Sequence, residues 1–283
     1  MPNIAVVTDS TAYLSKETLD KYGITVVPLS VVFGEEAYEE EVDITTDEFY
    51  KKMSESEELP TTSQPVMGTF LETFEKLGEN HDAIISIHLS SGISGTYSTA
   101  VTVGETVEEV DVHCFDSEVS CAPQGYYVIE AAKMAQDGHS VDDIMTRLSE
   151  MRESMRAYFV VDNLNHLHRG GRLNGAQAIV GSLLKIKPVL HFENKLIVPF
   201  EKVRTAKKAV NRVYELLDED AAKGEPIRAT VIHAQRPEKA EEIRNHLDQK
   251  YDNLEIDISY FGPVIGTHLG EGSIGIGWYK QKD

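Results

Sequence analysis

The first half of the chain alternates short apolar segments with longer amphipathic ones. The apolar segments are rich in β-branched residues and predict strands, which are Ile4–Val7, Thr25–Phe33, Ala83–Leu89 and Val112–Phe115. The amphipathic segments predict helices, which are Leu14–Tyr22, Thr46–Ser54, Val66–Leu77, Tyr97–Glu108 and Pro123–Gln136. Because strands that alternate with helices pair in parallel, the sequence predicts the α/β fold class, with a parallel sheet in a three-layer first domain.

Two of these helices begin with capping signals. Thr45 is followed three residues later by Glu48, which is the pattern of a capping box. Ser63 is expected to cap the next helix, and Pro65 is tolerated in a first helical turn.

The pattern changes near Ala157. Strands are predicted at Tyr158–Val161, Ala229–His233 and Glu255–Tyr260, and helices at Ala176–Leu184, Ala206–Leu217 and Glu238–Lys250. A hairpin is predicted at Val189–Pro199, turning at Glu193-Asn194-Lys195. Because a hairpin pairs its strands antiparallel, we expect a mixed sheet here, and two domains, 1–155 and 156–283.

The chain is acidic, with 27 Lys and Arg residues against 47 Asp and Glu, a formal charge of −20. This charge repels polyanions, so nucleic acid and anionic membranes are not expected partners. The N-terminus enters Ile4–Val7 without a basic leader, and no apolar run reaches the ~20 residues of a membrane span. A cytoplasmic protein without a transmembrane segment is expected.

Cys114 and Cys121 are the two cysteines of the sequence. A pair this sparse is no disulfide framework, and without a Cys-x-x-Cys motif it does not indicate a metal site. We expect free thiols and no bound metal. The histidines of Asn165-His166-Leu167-His168 also lack a further ligand at a recognised spacing.

Three hydroxyl-rich segments are candidates for ligand binding. Thr8-Asp9-Ser10-Thr11 follows the first strand at the carboxyl edge of the sheet, where such folds bind ligands, although helix capping by Asp9 or Ser10 is the favoured interpretation. Thr61-Thr62-Ser63-Gln64-Pro65 leads into a predicted helix whose free amides suit an anion, or are simply capped by Ser63.

The third segment, Ser90-Ser91-Gly92-Ile93-Ser94-Gly95-Thr96, is the most informative. Its glycines allow close backbone approach, and its hydroxyls with the following helix amides can surround a carboxylate or phosphate. It lacks the Gly-Lys-Ser/Thr ending of a nucleotide loop and one spacer of the G-x-S-x-G nucleophile elbow. Ser94 is therefore predicted to be a hydrogen-bond donor rather than a nucleophile.

The glycine-rich end of the chain does not fit a dinucleotide site. Gly270-Glu271-Gly272-Ser273-Ile274-Gly275 has the G-x-G-x-x-G spacing, but it does not open a strand–helix–strand unit. What remains is Thr267 and His268, predicted to lie on a loop.

Taken together and in order, these segments resemble the bacterial DegV family, of the type that serves as the fatty-acid-binding subunit of a fatty acid kinase. The resemblance rests on Thr8-Asp9-Ser10, Thr62-Ser63-Gln64-Pro65, Ser91-Gly92-Ile93-Ser94-Gly95-Thr96, Asp116-Ser117, Gly170-Gly171-Arg172 and Gly262-Pro263-Val264-Ile265-Gly266-Thr267-His268. It implies a parallel-sheet domain packed on a mixed-sheet domain, with a long-chain fatty acid such as hexadecanoate held between or within them.

The resemblance also implies roles for particular residues. Thr62, Ser94 and His268 would hold the fatty-acid carboxylate, and Arg172 and Arg204 would contact a separate ATP-dependent kinase that makes the acyl phosphate. No catalytic residue and no cofactor other than the bound fatty acid is then expected in this chain.

Two alternatives stay open at the level of sequence. A serine hydrolase would use Ser94 as nucleophile, His268 as base and Asp9 or Asp116 as orienter. A lipid-sensing regulatory protein would bind the same ligand without handing it to a kinase.

Overall fold

A computed structural model describes residues 3–173 and 187–281. The helix predicted at Ala176–Leu184 lies outside the described residues. The strands are β1 Ile4–Asp9, β2 Thr25–Val27, β3 Ser30–Phe33, β4 Glu36–Glu39, β5 Thr61–Ser63, β6 Ala83–His88, β7 Asp111–Asp116, β8 Arg156–Val160, β9 Val189–Glu193, β10 Leu196–Glu201, β11 Ile227–His233, β12 Leu254–Tyr260 and β13 Ile274–Lys280. The helices are α1 Lys16–Tyr22, α2 Thr46–Glu55, α3 Met67–Gly78, α4 Thr96–Gly104, α5 Ala122–Gln136, α6 Val141–Ser154, α7 Asn165–Arg169, α8 Ala206–Ala221, α9 Pro237–Asp248 and α10 Pro263–Leu269.

The predicted parallel sheet is confirmed. Among the described residues it has four strands in the order β2-β1-β6-β7, all parallel. On one face, Phe70 and Phe74 of α3 and Val103 of α4 pack against the strands. The other face is covered by α5 and α6, through a buried cluster that includes Ile4, Val6, Ile85, Ile87, Tyr127, Ala131, Leu148 and Met151. Helices on both faces make the three layers that the alternating pattern predicts.

The second sheet is mixed, as the hairpin predicts. Its order within the described part of the chain is β10-β9-β8-β13-β11-β12, with β11 and β12 parallel and the other pairs antiparallel. Helices α8 and α9 cover one face. These strands all follow residue 155, which supports the proposed domain division at that point; the division itself stays a prediction.

The strand predicted at Thr25–Phe33 is two strands in two sheets. Pro28 separates them, and β3 leaves the parallel sheet to join a small antiparallel sheet in the order β4-β3-β5. Proline cannot donate a ladder hydrogen bond, so it ends the first strand.

The prediction that Ser63 caps a helix is wrong. Ser63 belongs to β5 and pairs with Ser30 of β3, while its hydroxyl donates to the carbonyl of Gln64. Helix α3 begins later, at Met67, without a side-chain cap. The other cap is confirmed, because Thr45 and Glu48 form both hydrogen bonds of the capping box.

The segment predicted as a glycine-rich loop and tail contains α10 and β13. Pro263 begins the helix, and Gly270, with φ 77°, ends it. In β13, Gly275 and Gly277 lie on the face turned toward the first half of the chain. A Cβ on Gly277 would lie 2.5 Å from Cγ of Pro123 in α5, so glycine is required there for the two halves to pack closely.

We expect Gly277→Ala to lower the free energy of unfolding by about 1–3 kcal/mol, because the new methyl group overlaps a rigid proline ring. Gly68→Ala is the matched control. A Cβ on Gly68 meets no atom within 4 Å, and alanine is the better helix former, so this variant should gain up to about 1 kcal/mol. Urea unfolding of both variants measures the difference, and an equal effect of the two would contradict this account of Gly277.

Candidate ligand site between the two sheets

A cavity of about 280 Å³ lies between the mixed sheet and the first half of the chain. Most of its wall is apolar and comes from both halves: Leu29, Leu89, Ile93, Phe159, Phe192, Ile197, Ile232, Phe261, Val264 and Ile265. Among the described residues, eight polar side chains also line it: Thr62, Ser63, Gln64, Ser94, Ser120, Tyr158, Arg172 and His268. An apolar body with a few polar groups suits an amphipathic ligand that has one polar head.

The polar residues are linked to one another by short contacts. Thr62 Oγ1 and His268 Nε2 are 2.8 Å apart. Arg172 Nε donates to the carbonyl of Ile93, at 3.1 Å, which places it beside Ser94. A Cβ on Gly95 would lie 2.0 Å from Oε1 of Gln64, so the loop that follows Ser94 lies directly on the β5 segment. These contacts gather the polar groups at one end of the cavity.

Ser94 lies in the turn between β6 and α4, where its hydroxyl is partly exposed to the cavity. Ser94 Oγ is 2.9 Å from Oγ1 of Thr96 and accepts from the Thr96 amide at 3.3 Å. The turn is closed by the carbonyl of Ser90, which accepts from the amides of Ile93 and Ser94. The hydroxyl is therefore held at the start of a helix, where a negative charge is stabilised.

His268 lies on α10, not on a loop as predicted. Burial, the positive charge of Arg172 and the neighbouring His166 lower the pKa of His268 to about 3, so its ring is neutral at physiological pH. Its Nδ1 is buried and has no hydrogen-bond partner among the described residues. A neutral imidazole donates from one nitrogen and accepts at the other. Either Nε2–H donates to Thr62 and leaves the Thr62 hydroxyl free to donate, or Nε2 accepts from Thr62 and Nδ1–H is the free donor.

Arg172 is half-buried at the edge of the cavity. Its Nη1 donates to the carbonyl of Gly170 at 2.6 Å, and burial lowers the pKa of its guanidinium. Together with Thr62 and His268 it also lines a surface groove of about 450 Å³, beyond the cavity. These three side chains therefore form the partition between the cavity and the outside. Arg204 is exposed on the segment before α8 and does not line the cavity.

Asp116 fixes the loop that carries Ser94, a role that sequence reasoning missed. Its two carboxylate oxygens accept from the amide and the hydroxyl of Ser91, at 3.1 and 2.5 Å. Lys195, at the tip of the β9–β10 hairpin, pairs with the same carboxylate at 2.9 Å, and its carbonyl accepts from Ser90 Oγ. The signal in the sequence was the Asp116-Ser117 pair at the end of β7, but its contacts become visible only in the folded structure.

The residues of the hydrolase interpretation are not assembled as a triad. Asp9 accepts from His88 Nδ1 at 3.0 Å and from the Leu89 amide at 2.9 Å, and Asp116 is engaged by Ser91 and Lys195. A Ser–His–Asp arrangement does exist in the parallel sheet, since His88 Nε2 lies 2.7 Å from Ser86 Oγ. The side chains of Asp9 and His88 are both 0 % exposed, so this arrangement has no access to a substrate and stabilises the sheet.

The described residues contain no group of three or more His, Cys, Asp or Glu side chains placed to hold a metal ion. Cys114 and Cys121 are free thiols, and Cys121 lines the cavity. Burial raises the pKa of Cys121, which keeps its thiol protonated.

Residues 3–281 match the family model described as uncharacterised protein, DegV family. The chain belongs to the DegV family. It is 57% identical to protein DegV of Bacillus subtilis over 277 residues, which cover 98% of this chain and 99% of that one. The family resemblance predicted from the sequence is thus confirmed.

Solved structures agree with this assignment. DegV from Bacillus subtilis, described as a fatty acid binding protein, superposes with a TM-score of 0.95 at 56% identity and covers 99% of this chain and 100% of its own. A DegV family protein from Thermus thermophilus, described by its fatty acid binding, gives 0.92 at 29% identity, with 99% and 100% coverage. A stearic acid-binding protein from Eubacterium ventriosum gives 0.88 at 28% identity, with 99% and 98% coverage. Within the described ranges, no helix is long and apolar enough to cross a membrane.

Proposed function

We propose that this protein binds a long-chain fatty acid such as hexadecanoate, with the tail in the cavity and the carboxylate among Thr62, Ser94 and His268. The observation that carries the proposal is the cavity itself, apolar along its body and lined at one end by these three polar side chains. Burial of each methylene contributes ~0.8 kcal/mol, so a long acyl chain supplies most of the affinity. Fatty acid binding by the DegV proteins of known structure supports this function.

The head group is held by neutral donors. Thr62 and His268 share one hydrogen bond, so when His268 Nε2–H donates to Thr62, the Thr62 hydroxyl is free to donate to the carboxylate. The Ser94 hydroxyl is the second donor, and the Arg172 guanidinium lies nearby. A carboxylate bound in this way keeps its negative charge, which a salt bridge would neutralise. It also keeps an oxygen lone pair that is free to react.

We further propose that the protein presents this carboxylate to a separate ATP-dependent kinase in the cytoplasm. One carboxylate oxygen attacks the γ-phosphorus of ATP, the bond to ADP breaks, and an acyl phosphate forms. The partition of Thr62, Arg172 and His268 supports this proposal, because it is only one layer of side chains thick. The bound carboxylate would therefore lie close to the outer groove, where a kinase can dock. Arg172, at that partition, and the exposed Arg204 are the proposed contacts with the kinase.

Solvent extraction of the purified protein, followed by mass spectrometry, tests the binding function. We expect a stoichiometric fatty acid in the extract, and about tenfold weaker binding of added hexadecanoate by Ser94→Ala, the effect of losing one hydrogen bond to a charged group. Ser98→Ala, on the exposed side of α4, is the matched control and should bind as the unaltered protein does.

A protein that carries no fatty acid and binds none would overturn the proposal. Binding that survives Ser94→Ala unchanged would place the head group elsewhere in the cavity. For the kinase step, addition of the kinase and ATP should convert bound hexadecanoate to its acyl phosphate, and Arg172→Ala should slow this conversion more than it weakens binding.

A further inference from the structure

Helix α10 carries His268 at one end and receives its N-terminal cap from the other half of the chain. Its own N-cap residue, Gly262, has no side chain to offer. The Val264 amide donates instead to Oε1 of Glu40, at 2.7 Å, and the Ile265 amide donates to the hydroxyl of Tyr13, at 3.3 Å. Tyr13 in turn donates to the same Glu40 oxygen at 2.9 Å. A carboxylate and a phenol therefore satisfy the amides that an uncapped helix leaves free.

Glu40 is a buried acid that no cation neutralises among the residues the structure describes. It is 1 % exposed, and its second oxygen accepts from Ser10 Oγ at 2.5 Å. Burying a carboxylate costs free energy unless dipoles surround it. Here two hydroxyls and the positive end of a short helix surround it. Removing the carboxyl group therefore acts directly on the helix, because the Val264 amide and the Tyr13 hydroxyl lose their acceptor.

The helix has no room to shift while this network is intact. A Cβ on Gly262 would lie 2.3 Å from the ring of Tyr13, and one on Gly266 would lie 2.5 Å from the hydroxyl of Tyr50. Tyr50 also donates to the carbonyl of Phe261 just before the helix, at 2.9 Å. Backbone and aromatic rings are thus in direct contact along the first turn. Val264, which Glu40 holds, is one helical turn from His268.

We propose that Glu40 is a positioning residue for the fatty-acid site, acting through Tyr13 and α10 to hold His268 and the Val264–Ile265 wall in binding geometry. This inference rests on the proposed function. Without the cap, the first turn of α10 is no longer held in one position. The fraction of molecules whose site is in the binding-competent conformation then falls. The apparent dissociation constant rises by the inverse of that fraction.

A double-mutant cycle tests the inference. We expect Glu40→Ala to weaken hexadecanoate binding about tenfold in the unaltered background, and by less than about twofold when His268 is already alanine, since residues that act as a unit are non-additive. Glu39→Ala is the matched control, because its exposed side chain precedes Glu40 directly. It should leave the affinity unchanged. Losses that add in full, or no loss at all with Glu40→Ala, would overturn the inference.

A second measurement needs no ligand. The ¹⁵N chemical shifts of the His268 ring should move in Glu40→Ala and in Tyr13→Phe, which removes the bridging hydroxyl and keeps the aromatic ring, but not in Glu39→Ala. Unchanged shifts in both variants would overturn the inference. If the unaltered protein binds no hexadecanoate while the shifts move as expected, the proposed function fails and the positioning role stands.

Discussion

Replacement of Asp9 by alanine is expected to lower the free energy of unfolding by about 3–5 kcal/mol, because it removes the shared acceptor of several buried hydrogen bonds at once. The Asp9 carboxylate accepts from His88 Nδ1, from the Leu89 amide and from Thr11, all buried. Alanine leaves these donors without an acceptor inside the parallel sheet, where water does not replace it. Urea unfolding followed by circular dichroism measures the change.

Asp20→Ala is the control for this variant. Asp20 is exposed on α1, so its replacement should change the free energy of unfolding by no more than about 0.5 kcal/mol. Burial raises the pKa of Asp9, but the hydrogen bond and charge of His88, with Thr11 and Leu89, bring it below its usual value. Its contribution to stability is therefore present at neutral pH and is lost below pH ~4. An Asp9→Ala variant as stable as Asp20→Ala would contradict the role of this network.

Ionisation of Glu40 should make the free energy of unfolding depend on pH. Burial raises the pKa of Glu40 from 4.5 to about 7, against the lowering effect of Ser10, the Val264 amide and Tyr13. Because the folded-state pKa lies above the unfolded one, folding is favoured by the protonated form, and stability is lost as the pH rises through this interval. Relative to Glu40→Gln, which does not titrate, the free energy of unfolding should fall by about 3 kcal/mol between pH 4.5 and 7.5.

Unfolding curves at several pH values in this range, for the unaltered protein and for Glu40→Gln, give this difference directly. The remaining titratable groups are common to both proteins, so their contributions to the pH dependence largely cancel in the difference. Glu41 and Tyr13 interact with Glu40, and a Glu41→Gln variant measures the contribution of Glu41. Parallel pH profiles would contradict a raised pKa at Glu40.

The parallel sheet could be predicted because its strands are buried on both faces and therefore consist of β-branched, apolar residues. The α10–β13 segment could not be predicted, because three glycines in nine residues, Gly262, Gly266 and Gly270, suggest a loop. Those glycines are explained by contacts with Tyr13, Tyr50 and His166, which lie far away in the sequence. Helix propensity is a local property, whereas these close approaches are tertiary.

Ser63 also shows that local sequence patterns do not report tertiary contacts, here for a predicted helix cap that lies in a strand. Its position before a predicted helix is typical of a cap, but the pairing of Thr61–Ser63 with β3 already satisfies that stretch of backbone. The strand partners are about 30 residues apart, and no local pattern reports such a pairing.

The sequence could name residues that line the cavity, but it could not give the shape of the cavity. Hydroxyl-rich segments before predicted helices pointed to Thr62 and Ser94, and the family resemblance gave His268 its role. Thr62 and His268 are 206 positions apart, so their 2.8 Å contact is a property of the fold. Glu40 gave no signal, because it lies in an acidic run, Glu39-Glu40-Glu41, that is typical of a solvated surface.

The cavity walls come from both halves of the chain, so the candidate ligand site exists only when the two halves are packed together. A fragment that ends at residue 155 would keep Thr62 and Ser94 but lose His268 and the part of the cavity wall that β13 forms. The complementary fragment would keep His268 but lose Thr62 and Ser94. Neither piece holds a binding site to preserve. If the two halves separate, the proposed lipid site is therefore lost at the same time.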